Sequence, residues 1–128
     1  MSAVVLVIED NALNLKLVRD LLQARGFSVV EAGTARDGIT LARERRPDVI
    51  LMDIRLPDID GVRALGHLRA LSETRAIPVA AVTANAMKGD RERLLAAGFD
   101  GYLAKPIDVR TFADEVGLLA ARAPGTSG

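Results

Sequence analysis

The chain has 128 residues, enough for one domain with a real core, and its 49% hydrophobic and 27% charged residues are the balance of a soluble globular protein. Lysine and arginine match aspartate and glutamate at 17 each, so a formal net charge of zero favours neither nucleic acid nor a membrane surface, and 3% aromatic residues leave little to stack on bases. Without cysteine, disulfides and thiolate metal sites are excluded. The opening MSAVVLVIED has no basic segment before an apolar run too short to span a bilayer or to serve as a secretion signal, and a cytoplasmic protein is expected.

Ala3 to Ile8 is a continuous, mostly β-branched run stopped by Glu9 and Asp10, and reads as a first strand. Asn11 is placed to cap a helix through about Arg25, with Leu13, Leu17, Val18, Leu21 and Leu22 on one face and Gly26 as its stop. Phe27 to Val30 is a short second strand. Thr34 caps a second helix carrying Ala35, Ile39 and Ala42, whose basic end Arg43-Glu44-Arg45-Arg46 suits the negative pole of the helix dipole before Pro47.

The stretch DVILMDIRLPDIDG, Asp48 to Gly61, follows. Its apolar run Val49–Met52 reads as a strand buried on both faces and ends abruptly on Asp53. The loop Ile54 to Ile59 is long for a strand-to-helix connection, which fits a functional loop. Asp60 caps a third helix with Val62, Leu65, Leu68 and Leu71. Ile77 to Val82 is a fourth strand closed by Thr83, and Met87 to Ala97 a charged helix stopped by Gly98. Tyr102 to Ala104 is a short fifth strand before Lys105-Pro106, and Asp108 is expected to cap a last helix with Val109, Phe112, Val116 and Leu119. The tail from Ala123 to Gly128 reads as disordered, leaving residues 1–122 as a single domain.

Five strands alternating with helices point to an α/β fold, a doubly wound parallel sheet with right-handed crossovers. Parallel strands put their C-terminal ends on one edge, where open α/β sheets bind ligands. Glu9, Asp10, Asp53, Thr83 and Lys105 all sit at or just past such ends. Three carboxylates that close would raise one another's pKa unless a cation sits among them, and a hard divalent ion, Mg²⁺ above all, takes one or two carboxylates, waters and a phosphate. Any one of these residues alone would be an ordinary solvated strand end; five in this order are not.

The segments VVLVIEDN at 4–11, LMDIRLPDIDG at 51–61, AVTA at 81–84 and KP at 105–106 together resemble the signature of the two-component response-regulator receiver domain. The similarity covers almost the whole chain, and AVTANAMKGD with Tyr102-Leu103-Ala104-Lys105-Pro106-Ile107 is similar to its stand-alone members. This resemblance implies a flavodoxin/CheY-like sheet of order 2-1-3-4-5 with five helices. It implies that Asp53 accepts a phosphoryl group from the phosphohistidine of a sensor histidine kinase. Mg²⁺ would be held by Asp10, Asp53 and the backbone carbonyl of Arg55, with Glu9 acting directly or through water. Lys105, aimed by a candidate cis bond to Pro106, would pair with a phosphoryl oxygen. Thr83 would donate its hydroxyl to another oxygen, Ala84 would leave room, and Arg55 and Asn85 would tune the lifetime of the product. Thr83 and Tyr102 would form a switch that reshapes the helix 4/strand 5/helix 5 face for a downstream protein target. No nucleic-acid or membrane partner is implied, nor an assembly beyond monomer or weak dimer, and the only reaction catalysed would be the domain's own phosphorylation and dephosphorylation.

Other features carry less. His67, the single histidine, lies on the third helix without a helical bundle around it and is read as a surface residue; Arg43 to Arg46 is a solvated helix end, and Pro57 stiffens its loop. Met87 to Asp90 is either a partner surface or the solvated start of its helix. Tyr102 read alone is a residue packed at a strand edge. A haloacid-dehalogenase-like phosphatase would need a second aspartate where Arg55 stands, and a flavodoxin would not place Glu9-Asp10 against an FMN phosphate. A pseudo-receiver would lack the acceptor, the lysine or the acid pair. The remaining alternative is a receiver domain cut from a larger hybrid kinase or receiver–effector protein.

Overall fold

The computed structural model describes residues 3–84 and 89–121. Five parallel strands, β1 (Val4–Ile8), β2 (Ser28–Ala32), β3 (Val49–Asp53), β4 (Val79–Thr83) and β5 (Gly101–Ala104), form one sheet in the order β2-β1-β3-β4-β5. The helices between and after them are α1 (Ala12–Ala24), α2 (Ala35–Arg45), α3 (Gly61–Ala70), α4 (Asp90–Ala96) and α5 (Phe112–Ala120). This is the doubly wound α/β class that the alternation of apolar runs predicts.

The strands are apolar on both sides because both faces are covered. Alternate residues go to opposite cores. Leu6, Ile8, Ile50, Met52, Val79 and Ala81 face Ala35 and Ala42 of α2, Leu65 and Leu68 of α3, and Leu94 of α4. Val5, Val7, Val49, Leu51, Ala80 and Val82 face Val18 and Leu22 of α1 and Phe112, Val116 and Leu119 of α5. The chain leaves β1 toward β2 and then passes back over it to β3. The strand order therefore reverses at the β1/β3 boundary, where a crevice opens at the carboxyl ends of those strands.

The local signals work largely as expected. Asn11 Oδ1 accepts the amides of Leu13 and Asn14, Thr34 Oγ1 that of Asp37, and Asp60 Oδ1 that of Arg63, so α1, α2 and α3 begin on side-chain caps. Gly98 turns out of α4 at φ 115°, in the left-handed region.

Four expectations are corrected. The buried stripe of α1 is Val18 and Leu22 flanked by Leu15 and Leu21, whereas Leu13 is 80% exposed and Leu17 37%. At about 100° per residue Leu13 lies on the far side of the helix from Val18 and Leu22, so a leucine-rich segment gave a wider apolar face than the sheet covers. Helix α5 starts at Phe112 behind Thr111, not behind Asp108. The Asp108 carboxylate accepts the Arg110 amide and its carbonyl those of Thr111 and Phe112, forming a separate turn that leaves Val109 exposed. Strand β2 begins one residue later than expected and reaches Ala32, and β4 begins at Val79 rather than Ile77. Helix α4 is described from Asp90, after Gly89 at φ 88°, so the expected start at Met87 lies outside the described residues, as does the expected tail 123–128.

Candidate functional site

The two strands bounding the crevice deliver its acids. Glu9 follows β1 and stays in the ladder through its amide, which donates to the Ala32 carbonyl at 2.9 Å. Asp53 ends β3, opposite Val82 in the register with β4. Asp10 is exposed, while Glu9 and Asp53 are buried, and the three offer carboxylate oxygens within 4.8 Å of one another. Lys105, carried just past β5, closes the group: its Nζ donates to Glu9 Oε1 at 2.7 Å and to Asp53 Oδ2 at 3.0 Å. Its own amide donates to the Thr83 carbonyl at 2.8 Å, which puts the ends of β4 and β5 side by side. The bond from Lys105 to Pro106 is cis.

The electrostatics separate the two buried carboxylates. Burial raises Glu9 first, and the neighbouring Asp53 carboxylate raises it further against the pull of Lys105. Burial also works to raise Asp53, but Glu9, the Arg55 amide and Lys105 outweigh it and lower its pKa below the usual carboxylate range. Desolvation works to lower Lys105, and the bonds to Glu9 and Asp53 hold it above its ordinary value. Asp53 is thus kept ionised, with one oxygen accepting an ammonium and the other, Oδ1, accepting the Arg55 amide at 2.9 Å. An ionised carboxylate ringed by a cation and two more acids can take up an electrophile and hold a hard divalent ion beside it.

Thr83 is buried at the end of β4, Ala84 is exposed beside it, and Arg55 is exposed two residues past Asp53. Tyr102 lies on β5 opposite Ala81, three residues before Lys105, half-buried against the cluster that holds Leu94 and Phe99. Asn85 lies outside the described residues. His67 is exposed on α3, away from the acids.

One residue that shapes the site is not singled out by the sequence. Asp58, in the loop after Asp53, reaches across to α2: its two carboxylate oxygens accept the amides of Ala35 and Arg36, each at 2.9 Å. A carboxylate on the first amides of a helix also meets the positive end of its dipole. The loop's far end is fixed at Gly61, whose amide donates to the Ile54 carbonyl at 2.9 Å and where a Cβ would come within 2.9 Å of the Ile54 Cα. Only glycine fits there, and the segment from Asp53 to Gly61 is a closed loop pinned at both ends and to α2.

The doubly wound sheet thus gathers a lysine-paired aspartate and two further acids at its switch point. The family model of the response regulator receiver domain matches residues 5–116, and the chain belongs to that family. It is similar to the polar-differentiation response regulator DivK of Brucella anthropi, 46% identical over 112 residues covering 88% of this chain and 91% of that one. The DivK of Brucella ovis is 45% identical over 116 residues, covering 91% and 94%. Among solved structures, the receiver domain of the sensor histidine kinase PA1611 from Pseudomonas aeruginosa, with a magnesium ion coordinated in its active site cleft, is 36% identical with a TM-score of 0.81, covering 96% of this chain and 98% of that one. The chemotaxis response regulator CheY4 of Vibrio cholerae is 25% identical with a TM-score of 0.86, covering 93% and 99%.

Proposed function

We propose that this protein is a single-domain response regulator that accepts a phosphoryl group on Asp53 from the phosphohistidine of a sensor histidine kinase and passes the change to a protein target. The observation that carries the reading is the bridge from Lys105 to Glu9 and Asp53 beside Asp10, which supplies a nucleophile, a fixed cation and spare acidic ligands at one strand edge.

Glu9, Asp10 and Asp53 fit Mg²⁺, since three carboxylate oxygens within 4.8 Å are the hard donors this ion takes, and the magnesium-bound relative shares the fold. These residues and the Arg55 carbonyl would hold the ion, which supplies charge neutralisation for the incoming phosphoryl oxygens. An ionised Asp53 oxygen attacks phosphorus as the P–N bond of the donor breaks, and the electron pair returns to the imidazole nitrogen. Lys105 turns from Glu9 and Asp53 toward a phosphoryl oxygen, Thr83 donates its hydroxyl to another, and exposed Ala84 leaves the entry open. Pro106 fixes the course of the chain behind Lys105, while Arg55 and Asn85 flank the product and set its lifetime. The rest of the mechanism is positioning, which suffices for this chemistry.

Thr83 and Tyr102 carry the output, through the face of α4, β5 and α5. Tyr102 is suited to this because it sits half-buried on β5 against the cluster that includes Leu94 of α4, one strand over from the β4 residues that end in Thr83. The reading takes residues 1–122 as the functional unit, cytoplasmic, monomeric or weakly dimeric, and acting on no substrate but its own aspartyl phosphate. A second reading, a receiver domain belonging to a larger kinase, is supported by the likeness to the receiver of PA1611.

With Mg²⁺ and a small acyl-phosphate donor, the protein gains one acid-labile phosphoryl group and Asp53→Asn gains none. Robust labelling of the Asp53→Asn protein would sink the assignment.

A further inference from the structure

The geometry points to a second interaction surface, the groove between α2 and α3, which we propose docks an acidic amphipathic helix of a partner protein. The groove has a volume of about 470 Å³. Its half-buried floor is Ile39 of α2, Ile59 of the loop and Leu71 at the end of α3, and its exposed rim is Arg36, Arg63 and His67. Among the described residues no carboxylate lines it. Of the acids on the flanking segments, Asp58 bonds the α2 amides, Asp60 the Arg63 amide and Glu73 the Arg43 side chain, and none forms an ion pair with Arg36 or Arg63. Arg36 and Arg63 have no ion-pair partner among the described residues. An apolar trough whose rim arginines make no ion pair among the described residues is complementary to a ligand with an apolar stripe between acids.

The spacing admits a helix. Arg63 and His67 are four residues apart on α3, one turn or about 6 Å along the axis, which matches acids one turn apart on a facing helix. Apolar anchors recurring every three to four residues would fill the trough, the usual way a helix is read in a groove. The surface uses neither Asp53 nor the α4–β5–α5 face, so it stands apart from the phosphoacceptor reading and is tested on unphosphorylated protein.

The probe is a designed fourteen-residue peptide with leucines at helical spacing flanked by glutamates, titrated into isotope-labelled full-length chain and followed by NMR. Amide shifts are expected to centre on residues 36–43 and 59–71. The Arg36→Glu/Arg63→Glu protein should bind at least about tenfold more weakly, because like charges then face each other. A peptide of scrambled order, which cannot present one apolar stripe, should not bind. Both arginines are exposed, but if the double variant loses its fold, His67→Glu serves the same comparison. Shifts centred on 90–119, or affinity unchanged by the charge reversals, overturn the proposal. So does sedimentation showing that the protein alone self-associates and that the double variant abolishes this, since the occupant would then be a second copy of the chain.

Discussion

Lys105 holds two carboxylates at once, and its removal separates two roles that the pair combines. Without the ammonium, Asp53 still has the Arg55 amide on Oδ1 and the acids that would hold Mg²⁺. Lys105→Ala is therefore expected to keep some phosphorylation while losing the change at the α4–β5–α5 face. Labelling by acyl phosphate and target binding, measured on the same preparation, check the two halves separately; unaltered target binding by the phosphorylated variant would count against the role of Lys105. Glu9, Asp10, Asp53 and Lys105 were legible in the sequence because a parallel sheet brings every strand end to one edge, so position along the chain is enough to predict company. Asp58 was not legible. Its partners lie 22 and 23 residues earlier, on a helix whose own cap, Thr34, already satisfied the local pattern.

Among the elements, the loop after Asp53 is tied to α2 through Asp58. Burial works to raise its carboxyl, and the amides of Ala35 and Arg36, with those of Asp58 and Ile59, outweigh this and lower it below the usual range. A depressed folded-state pKa contributes stability that is present above the unfolded value and is lost as pH falls through the folded one. Asp58→Asn is thus expected to be less stable than the parent at neutral pH, with the gap closing as the solution is acidified below the carboxylate range. Urea denaturation at a series of pH values tests this; a gap that stays constant with pH would mean the carboxylate charge does not contribute. The existence and order of all ten elements were legible from apolar runs and caps. The missed details share one cause: Leu13, Leu17 and Asp108 carry correct local signals for burial or capping, and only tertiary packing decides that the first two face solvent and that the third closes a turn before α5.

Across the whole molecule, the sheet is braced far from the acids. Arg69 of α3 donates to the carbonyls of Arg75 and Ile77 at 2.9 and 2.7 Å, and to Gly98 and the Asp100 carboxylate at 3.3 and 2.7 Å. Asp100 in turn accepts the Val79 amide at 2.9 Å, so one guanidinium ties α3 to the entries of β4 and β5. Hydrogen bonds of this charged kind are worth about 2 kcal/mol, and Arg69→Met should lose roughly that much by chemical denaturation with phosphorylation of Asp53 intact. Loss of labelling in a folded Arg69→Met protein would show that the brace also sets the site's geometry. Nothing periodic in the sequence marks Arg69 or Asp100, which meet only because α3 and β5 pack beside β4.

The placement of Tyr102 also makes the molecule optically legible. It is the single tyrosine of a chain without tryptophan, so ultraviolet emission comes from one known point on β5. Burial, and after it the Asp90 carboxylate, push its phenol above the ordinary tyrosine value, so the emitting group is un-ionised at neutral pH. Adding acyl phosphate and Mg²⁺ should change tyrosine emission in the parent protein and leave Asp53→Asn unchanged, which would follow the signal at its output without a label or a partner. Emission that stays flat while Asp53 becomes phosphorylated would remove Tyr102 from the switch.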